Sequence, residues 1–413
     1  MASHPPRGAA RLQHEMDRSL GVYLHVPFCE RVCPYCDFAV VATRRLSEAD
    51  EDRYVAGLLA ELAGRRALFE GRPLDTLYFG GGTPALLRPA SIARLMAALR
   101  GAFPGAPREV TLEANPSTLE RERLPGFRAA GVDRLSLGVQ SFDDLTLKRL
   151  GRAHRSEEVQ HTLAAARAAG FDNISLDLIV GAPGQTLPAL ERDLDAALAF
   201  GPEHLSAYAL TLEAGTPFAV AAGDGRLVVP EDDLVAELLE RVHARLEAAG
   251  LLRYEVSSWA RPGRESQHNQ RYWRRAPVLA LGVGAHSTEP ATPAAPFGAR
   301  SANERSLGAW LARVEAGDCV PPEREVLGAA TARGEAAFLA LRTRRGLDAT
   351  RFAAEFGAPP RAFFAAAIDP LCQDGLLRER VNGDLEPTEA AWLFADTLGA
   401  YFVARAVDSA QSA

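Results

Sequence analysis

The chain has 413 residues, 47% of them hydrophobic and 24% charged, which is the composition of a globular protein of two or three domains and excludes a disordered or fibrous chain. With 46 Lys and Arg against 53 Asp and Glu, the formal net charge is −7, so no overall attraction for nucleic acid is expected. No apolar run reaches the ~18 residues of a membrane span. Arg7, Arg11, Glu15, Asp17 and Arg18 interrupt the start of the chain where a secretory signal needs an apolar core, and the expected location is the cytoplasm.

From residue 21 onward, short apolar segments alternate with amphipathic ones. Strands are expected at 22–26, 76–79, 110–113, 134–139, 174–180 and 204–210, with helices at 47–69, 89–100, 117–130, 143–150, 156–169 and 187–199 between them. Ser47 is the expected N-cap of the first helix, with Asp50 three residues on. Six βα-like units imply parallel strands, in a whole or partial barrel or in a doubly wound sheet. A helix over 231–249 breaks the alternation, followed by strands at 254–259 and 278–283 around an Arg-rich loop at 261–275 and by a Pro- and Ala-rich loop at 289–296. Helices at 335–344, 348–356 and 360–373, an Asn382-Gly383 turn between short strands, and a helix from 388 to about 402 suggest a small winged-helix-like domain. Its Asp374, Asp384, Glu386 and Glu389 favour a packing or lid role over DNA binding.

Cys29, Cys33 and Cys36 crowd into eight residues just after the first strand, where parallel α/β folds bind ligands. Cys33-Pro34-Tyr35-Cys36 alone reads as a glutaredoxin-like dithiol, which leaves Cys29 unused. Adding His25 gives a Cys₃His zinc set, without the small loop-rich module such sites clip together. The favoured reading is a [4Fe–4S] cluster on three thiolates, whose open iron binds the amino and carboxylate groups of S-adenosylmethionine. Cys319 and Cys372 stand apart and read as small apolar residues.

The segment Tyr23-Leu24-His25-Val26-Pro27-Phe28-Cys29, with Cys33, Tyr35, Cys36, Asp37 and Phe38, resembles the cluster loop of the radical S-adenosylmethionine superfamily. Within it, the chain is similar to the branch of oxygen-independent coproporphyrinogen III oxidases and HemW-type heme chaperones. Gly80-Gly81-Gly82-Thr83-Pro84 resembles the segment that pairs with the methionine amino group. Glu113, Gln140, Arg152 and Asp177 stand at or just beyond successive strand ends. The resemblance assigns Tyr23, Gly81, Gly82, Thr83, Glu113, Gln140, Arg152 and Asp177 to cofactor contacts, with Glu113 and Asp177 accepting from ribose or amino groups and Arg152 forking onto the carboxylate. The implied fold class is α/β: a radical-SAM partial (β/α)₆ barrel over 21–250, a barrel-completing segment over 251–318, and a winged-helix-like α+β domain over 319–413, after a flexible tail over 1–20.

The oxidases carry a fourth cysteine two residues after the third, where this chain has Phe38. They also carry a longer N-terminal extension than the ~20 residues expected here as a tail. His268-Asn269-Gln270-Arg271-Tyr272-Trp273 resembles the H-N-x-x-Y-W signature of the heme chaperones. The resemblance implies heme as a cofactor and client hemoproteins as partners. His268 is the expected heme-iron ligand, His286 its alternative, and Arg264, Arg271, Arg274 and Arg275 are candidates for the propionates. The alternatives are a porphyrinogen decarboxylase, which uses an adenosyl radical on a propionate side chain, and a radical enzyme acting on an unrelated substrate. Radical cleavage by the chaperone, its client and its oligomeric state are left open. Any membrane association is expected to be peripheral and made through a client.

Overall fold

The computed structural model describes residues 18–411, so the expected tail lies outside the described residues up to residue 17. Six parallel strands follow in chain order: β1 (Leu20–Val26), β2 (Leu74–Gly81), β3 (Glu109–Ala114), β4 (Arg134–Gln140), β5 (Ile174–Val180) and β6 (His204–Ala209). Beyond β6, a hairpin of β7 (Leu252–Glu255) and β8 (Ser258–Ala260) adds antiparallel. On the other side, β9 (Val278–Leu281) pairs parallel with β1, and β10 (His286–Glu289), β11 (Ala299–Ala302) and β12 (Glu323–Val326) continue antiparallel. The result is one 12-stranded sheet ending on β12 and β7, curved as an open, partial barrel rather than a closed one.

The connecting helices cover the outer face: α1 (Glu48–Arg65), α2 (Pro89–Ala102), α3 (Thr118–Ala130), α4 (Asp144–Arg149), α5 (Ser156–Ala168) and α6 (Leu187–Ala199). Their starts follow capping chemistry. Ser47 accepts from Asp50 N at 3.1 Å, Ser117 from Glu120 N at 3.3 Å and Asp143 from Thr146 N at 2.7 Å. Next come α7 (Pro217–Gly223), α8 (Asp232–Ala248), α9 (Gln267–Trp273) and α10 (Leu307–Glu315).

Side chains alternate across each parallel strand. Leu20, Val22, Leu24, Leu77, Phe79, Val110, Leu112, Leu135, Leu137, Leu176, Leu178 and Leu205 join the main apolar core under the helices. The intervening positions are of another kind: Tyr23, Thr76, Tyr78, Glu109, Thr111, Glu113, Arg134, Ser136, Gln140, Ser175, Asp177, His204, Ser206 and Tyr208. A closed (β/α)₈ barrel fills its interior with branched apolar layers. Here the interior is polar and leaves room for a ligand.

Two expectations are corrected. The strand expected over 254–259 is a hairpin turning at Val256 and Ser257, and the Arg-rich loop at 261–275 contains α9. The Pro- and Ala-rich loop at 289–296 connects two strands of the main sheet. The C-terminal unit comprises α11 (Ala329–Ala340), α12 (Ala349–Phe356), α13 (Pro360–Gln373), a hairpin of β13 (Leu377–Glu379) and β14 (Leu385–Pro387), and α14 (Ala395–Gln411). Its core of Phe352, Phe364, Ile368, Leu371, Leu377, Leu385 and Phe402 is separate from that of the barrel. Among the described residues no helix is long and apolar enough to cross a membrane.

A buried ion pair fastens the antiparallel strands to α1. Glu61 accepts from Arg65 Nη1 at 3.0 Å, Asn303 Nδ2 at 2.7 Å, Gly282 N at 2.8 Å and Trp310 Nε1 at 3.2 Å. Arg65 also donates to Ala280 O at 2.8 Å and Ser287 Oγ at 2.9 Å. Removing one partner leaves an uncompensated buried charge, so Glu61→Ala is expected to cost about 3–5 kcal/mol, read from the urea midpoint at unchanged m.

Candidate functional site

The parallel strands end on one side in the loops that carry the cysteines. Cys29 closes a two-residue strand directly after β1, pairing with Val41–Ala42, and Cys36 N donates to Cys33 O at 3.1 Å. All three thiols are free and half-buried. Burial pushes Cys29 up to about 11 and raises Cys36 as well. A redox dithiol needs a lowered thiol, commonly at a helix start, and no helix starts within 33–36, so the glutaredoxin-like reading has no support. His25 is also spoken for, with Nδ1 on Tyr23 OH at 3.1 Å and Nε2 on Ala39 O at 2.9 Å. Among the described residues no three His, Cys, Asp or Glu side chains converge on a single-ion position. Three separate thiols suit a cluster, in which each binds a different iron.

Glycine makes room beside them. Gly81 has φ of 110°, and a Cβ there would lie 2.6 Å from the His25 ring. A Cβ on Gly82 would lie 2.9 Å from Cys29 Sγ. A polar bridge then ties the cysteine loop to the strand ends. Thr83 Oγ1 donates to Cys29 Sγ at 3.7 Å and accepts from Asn115 Nδ2 at 2.9 Å. Arg152 donates to Asn115 Oδ1, to Gly138 O at 2.9 Å and to Cys33 Sγ at 3.5 Å.

Below this mouth lies a cavity of about 1160 Å³. Ten of the expected site residues line it: Cys29, Cys33, Cys36, Gly81, Gly82, Thr83, Glu113, Gln140, Arg152 and Asp177. Glu113 accepts from Tyr78 OH at 2.8 Å and Gly81 N at 3.0 Å, and burial pushes its carboxyl up to about 7. Asp177, raised by burial as well, accepts from Ser136 Oγ at 3.0 Å. Gln140 sits in the left-handed region at φ 65°, an unusual backbone for a non-glycine and of the kind that collects at ligand sites.

Two expected residues do not line the cavity. Tyr23 stacks on Tyr78 with ring centroids 6.0 Å apart. His268 is fully buried on α9, with Nδ1 on Thr76 Oγ1 at 2.9 Å and Nε2 on Tyr272 OH at 3.2 Å. Its backbone N–H donates to Glu109 Oε1 at 3.0 Å. Glu109, Thr76 and Asp75 all stand at the amino-terminal ends of their strands, so the H-N-x-x-Y-W segment plugs the floor opposite the cysteines. Both ring nitrogens of His268 are engaged and burial drives its pKa well down, so that the side chain packs into that floor. Arg271 is likewise structural, bonding Asp75 Oδ2 at 2.7 Å and Ser19 O at 2.7 Å. Arg264 pairs with Asp172, Arg275 with Glu335 and Glu355, and Arg274 with Gln270.

The sequence reading missed Asn115 as the link between Thr83 and Arg152, and missed the inner wall of Tyr78, Arg134, Ser136, Ser206, Tyr208 and Asn269. Strand alternation was the available signal: Ser136 lies four positions from Gln140 on β4, and Ser206 is the register partner of Asp177.

An open parallel sheet with a three-cysteine loop at its carboxyl-end mouth defines a radical S-adenosylmethionine protein. The Radical SAM superfamily model matches residues 23–197, and the HemN C-terminal domain model matches 330–394. Heme chaperone HemW of Mycobacterium tuberculosis is 40% identical over 336 residues, 81% of this chain and 84% of that one. Its counterpart in Bacillus subtilis is 35% identical over 358 residues, 86% and 92% of the two chains. Coproporphyrinogen III oxidase (HemN) from Escherichia coli, a radical SAM enzyme, superimposes with a TM-score of 0.79 at 25% identity, over 95% of this chain and 93% of that one. The chain belongs to the heme chaperone HemW family.

If His268 is a floor residue, His268→Ala loses two buried hydrogen bonds and a packed ring. The expected cost is about 2–4 kcal/mol in chemical denaturation. The visible spectrum of added heme is expected to match that of the wild type, and a changed axial-ligand band in the variant would overturn the floor assignment.

Proposed function

We propose that this protein is a heme chaperone that binds heme, carries a [4Fe–4S] cluster with S-adenosylmethionine, and delivers heme to client hemoproteins. The observation that carries this reading is Phe38, 65% exposed at the mouth where the similar oxidases have a fourth cysteine, in a chain whose relatives over both halves are named heme chaperones. An exposed ring beside the cavity offers a surface for a porphyrin face. Cys29, Cys33 and Cys36 would hold the cluster, which when bound supplies an electron and an open iron for S-adenosylmethionine.

The chain's own residues divide the remaining work. Gly81 and Gly82 let the backbone approach the methionine, and Thr83 with Asn115 fixes the Cys29 thiolate. Arg152 sets a guanidinium against Cys33 and reduces the cost of burying negative sulfur there. Glu113 and Asp177 accept from the amino group and the ribose. The client receives heme by direct contact, in the cytoplasm or at a membrane reached through that client.

The deciding experiment is an anaerobic heme titration of the cluster-reconstituted full chain, followed at the Soret band in the wild type, His268→Ala and His286→Ala. Saturable binding is expected in wild type and in His268→Ala, and His286, exposed at the start of β10, is the next ligand to test. No wild-type binding, with a decarboxylated porphyrinogen formed from added substrate and S-adenosylmethionine, would overturn the chaperone reading in favour of the oxidase.

Glu113 makes the cofactor step pH-dependent. Its carboxyl, held near 7 by burial, is charged above that pH and neutral below it, so its strength as acceptor for the amino N–H groups and its attraction for the sulfonium cation both fall as pH falls through 7. Equilibrium dialysis of S-adenosylmethionine from pH 8 to 6 is expected to show this fall in the wild type. Glu113→Gln is expected to bind about tenfold or more weakly at pH 8 and to lose most of the pH dependence.

A further inference from the structure

The cavity continues past the residues assigned to S-adenosylmethionine into an outer lobe between the cysteine loop, the segment from 37 to 46 and the start of α3. At about 1160 Å³ the whole exceeds the ~300–1,000 Å³ of a pocket for one small ligand. The wall of the lobe is apolar, with Val32, Phe38, Leu46, Leu86 and Leu119 on it, and of these Val32, Phe38 and Leu119 are exposed. Large apolar side chains gathered in water around one opening mark a binding surface. The rim is cationic. Arg31, Arg44 and Arg45 line the same opening, all exposed, and among the described residues no hydrogen bond or ion pair holds any of them. The acidic neighbours are committed: Asp37 pairs with Arg305, Glu48 and Glu51 with Arg88, and Glu120 accepts from Asn115 N, which leaves Glu30 as counter-charge to three arginines. The backbone beneath is fastened, since Val41 N donates to Pro27 O at 2.8 Å and Thr43 N to Cys29 O at 2.7 Å. Arg44 and Arg45 are the next two residues.

An apolar wall with a cationic rim complements a flat apolar body that carries carboxylates along one edge. A guanidinium only donates, and its planar fork matches the two oxygens of a carboxylate. We propose that the outer lobe is the berth of a tetrapyrrole, with the macrocycle against Phe38, Leu86 and Leu119 and the propionates on Arg44 and Arg45. S-adenosylmethionine keeps the inner part of the same cavity. The inference rests on the heme binding proposed above and gives it a place. The arginines near α9 are engaged elsewhere, Arg264 with Asp172, Arg271 with Asp75, Arg274 with Gln270 and Arg275 with Glu335. An acidic protein would satisfy the rim arginines but would not fill a recess walled by apolar side chains, which favours the small amphipathic dianion.

The test titrates the cluster-reconstituted full chain, anaerobically and at the Soret band, with heme and with heme dimethyl ester, whose esterified propionates carry no charge. The double variant Arg44→Gln, Arg45→Gln is expected to bind heme about tenfold or more weakly, with its affinities for the ester and for S-adenosylmethionine unchanged. Both arginines are exposed, so the variant removes no core contact. The pair Arg44→Lys, Arg45→Lys keeps the charge without the fork and is expected to fall between. Phe38→Ser is expected to weaken heme and ester alike. An unchanged heme affinity in the double Gln variant, or equal losses for heme and ester, would overturn the berth and leave the chaperone reading standing. Slower cluster reduction by an added acidic flavoprotein, with heme affinity unchanged, would do the same and assign the rim to a protein partner. A wild-type chain that binds no heme would overturn both.

Discussion

The structure depends on one constraint: the inner face of its parallel sheet is polar, and each group on it must be satisfied inside the fold or by what the fold binds. At the floor, Glu109 accepts two backbone N–H groups of α9 and Thr76 meets the His268 ring. Midway, Tyr78 and Gly81 N converge on Glu113, and Ser136 and Ser175 on Asp177. At the mouth, Thr83, Asn115 and Arg152 form a continuous path to two of the cysteines. The cysteine loop, which has little regular structure of its own, inherits its position from the strand ends through this path.

The regular part of this fold was legible in the sequence because its outer face is apolar at strand spacing and its helices are long, capped and amphipathic. The six parallel strands and the helices between them follow from that pattern. The antiparallel additions did not show. Glu323–Val326 is exposed at every residue and reads as loop, and the turn at Val256-Ser257 lacks the glycine or asparagine that marks a hairpin. The seven-residue α9 is too short and too polar to carry a helical period.

The site divides along similar lines. Cysteine spacing and strand-end position are local properties, so the mouth could be read directly. A polar residue on an inner strand position looks the same in sequence whether it holds the floor, balances a charge or waits for a ligand. His268 and Arg271 stand in a motif that resembles a functional signature, yet their side chains are consumed by Thr76, Tyr272, Asp75 and Ser19. Arg134 stands in no motif, and its enclosed Nε has no partner among the described residues. Only the hydrogen-bond inventory separates the two cases.

That inventory also explains why a floor helix should carry so distinctive a sequence. α9 faces inward through His268 and Asn269, while the residues just after it meet the C-terminal unit. Arg275 pairs with Glu335 of α11 and Glu355 of α12, and Arg351 of α12 donates to Arg274 O at 2.7 Å. The hairpin preceding α9 makes the same connection, with Val256 N donating to Arg342 O at 2.9 Å and the Arg253 guanidinium lying between Trp259 and Trp392. The segment from 252 to 275 therefore touches the lumen on one side and the C-terminal unit on the other. The residue types along it answer to both neighbours at once.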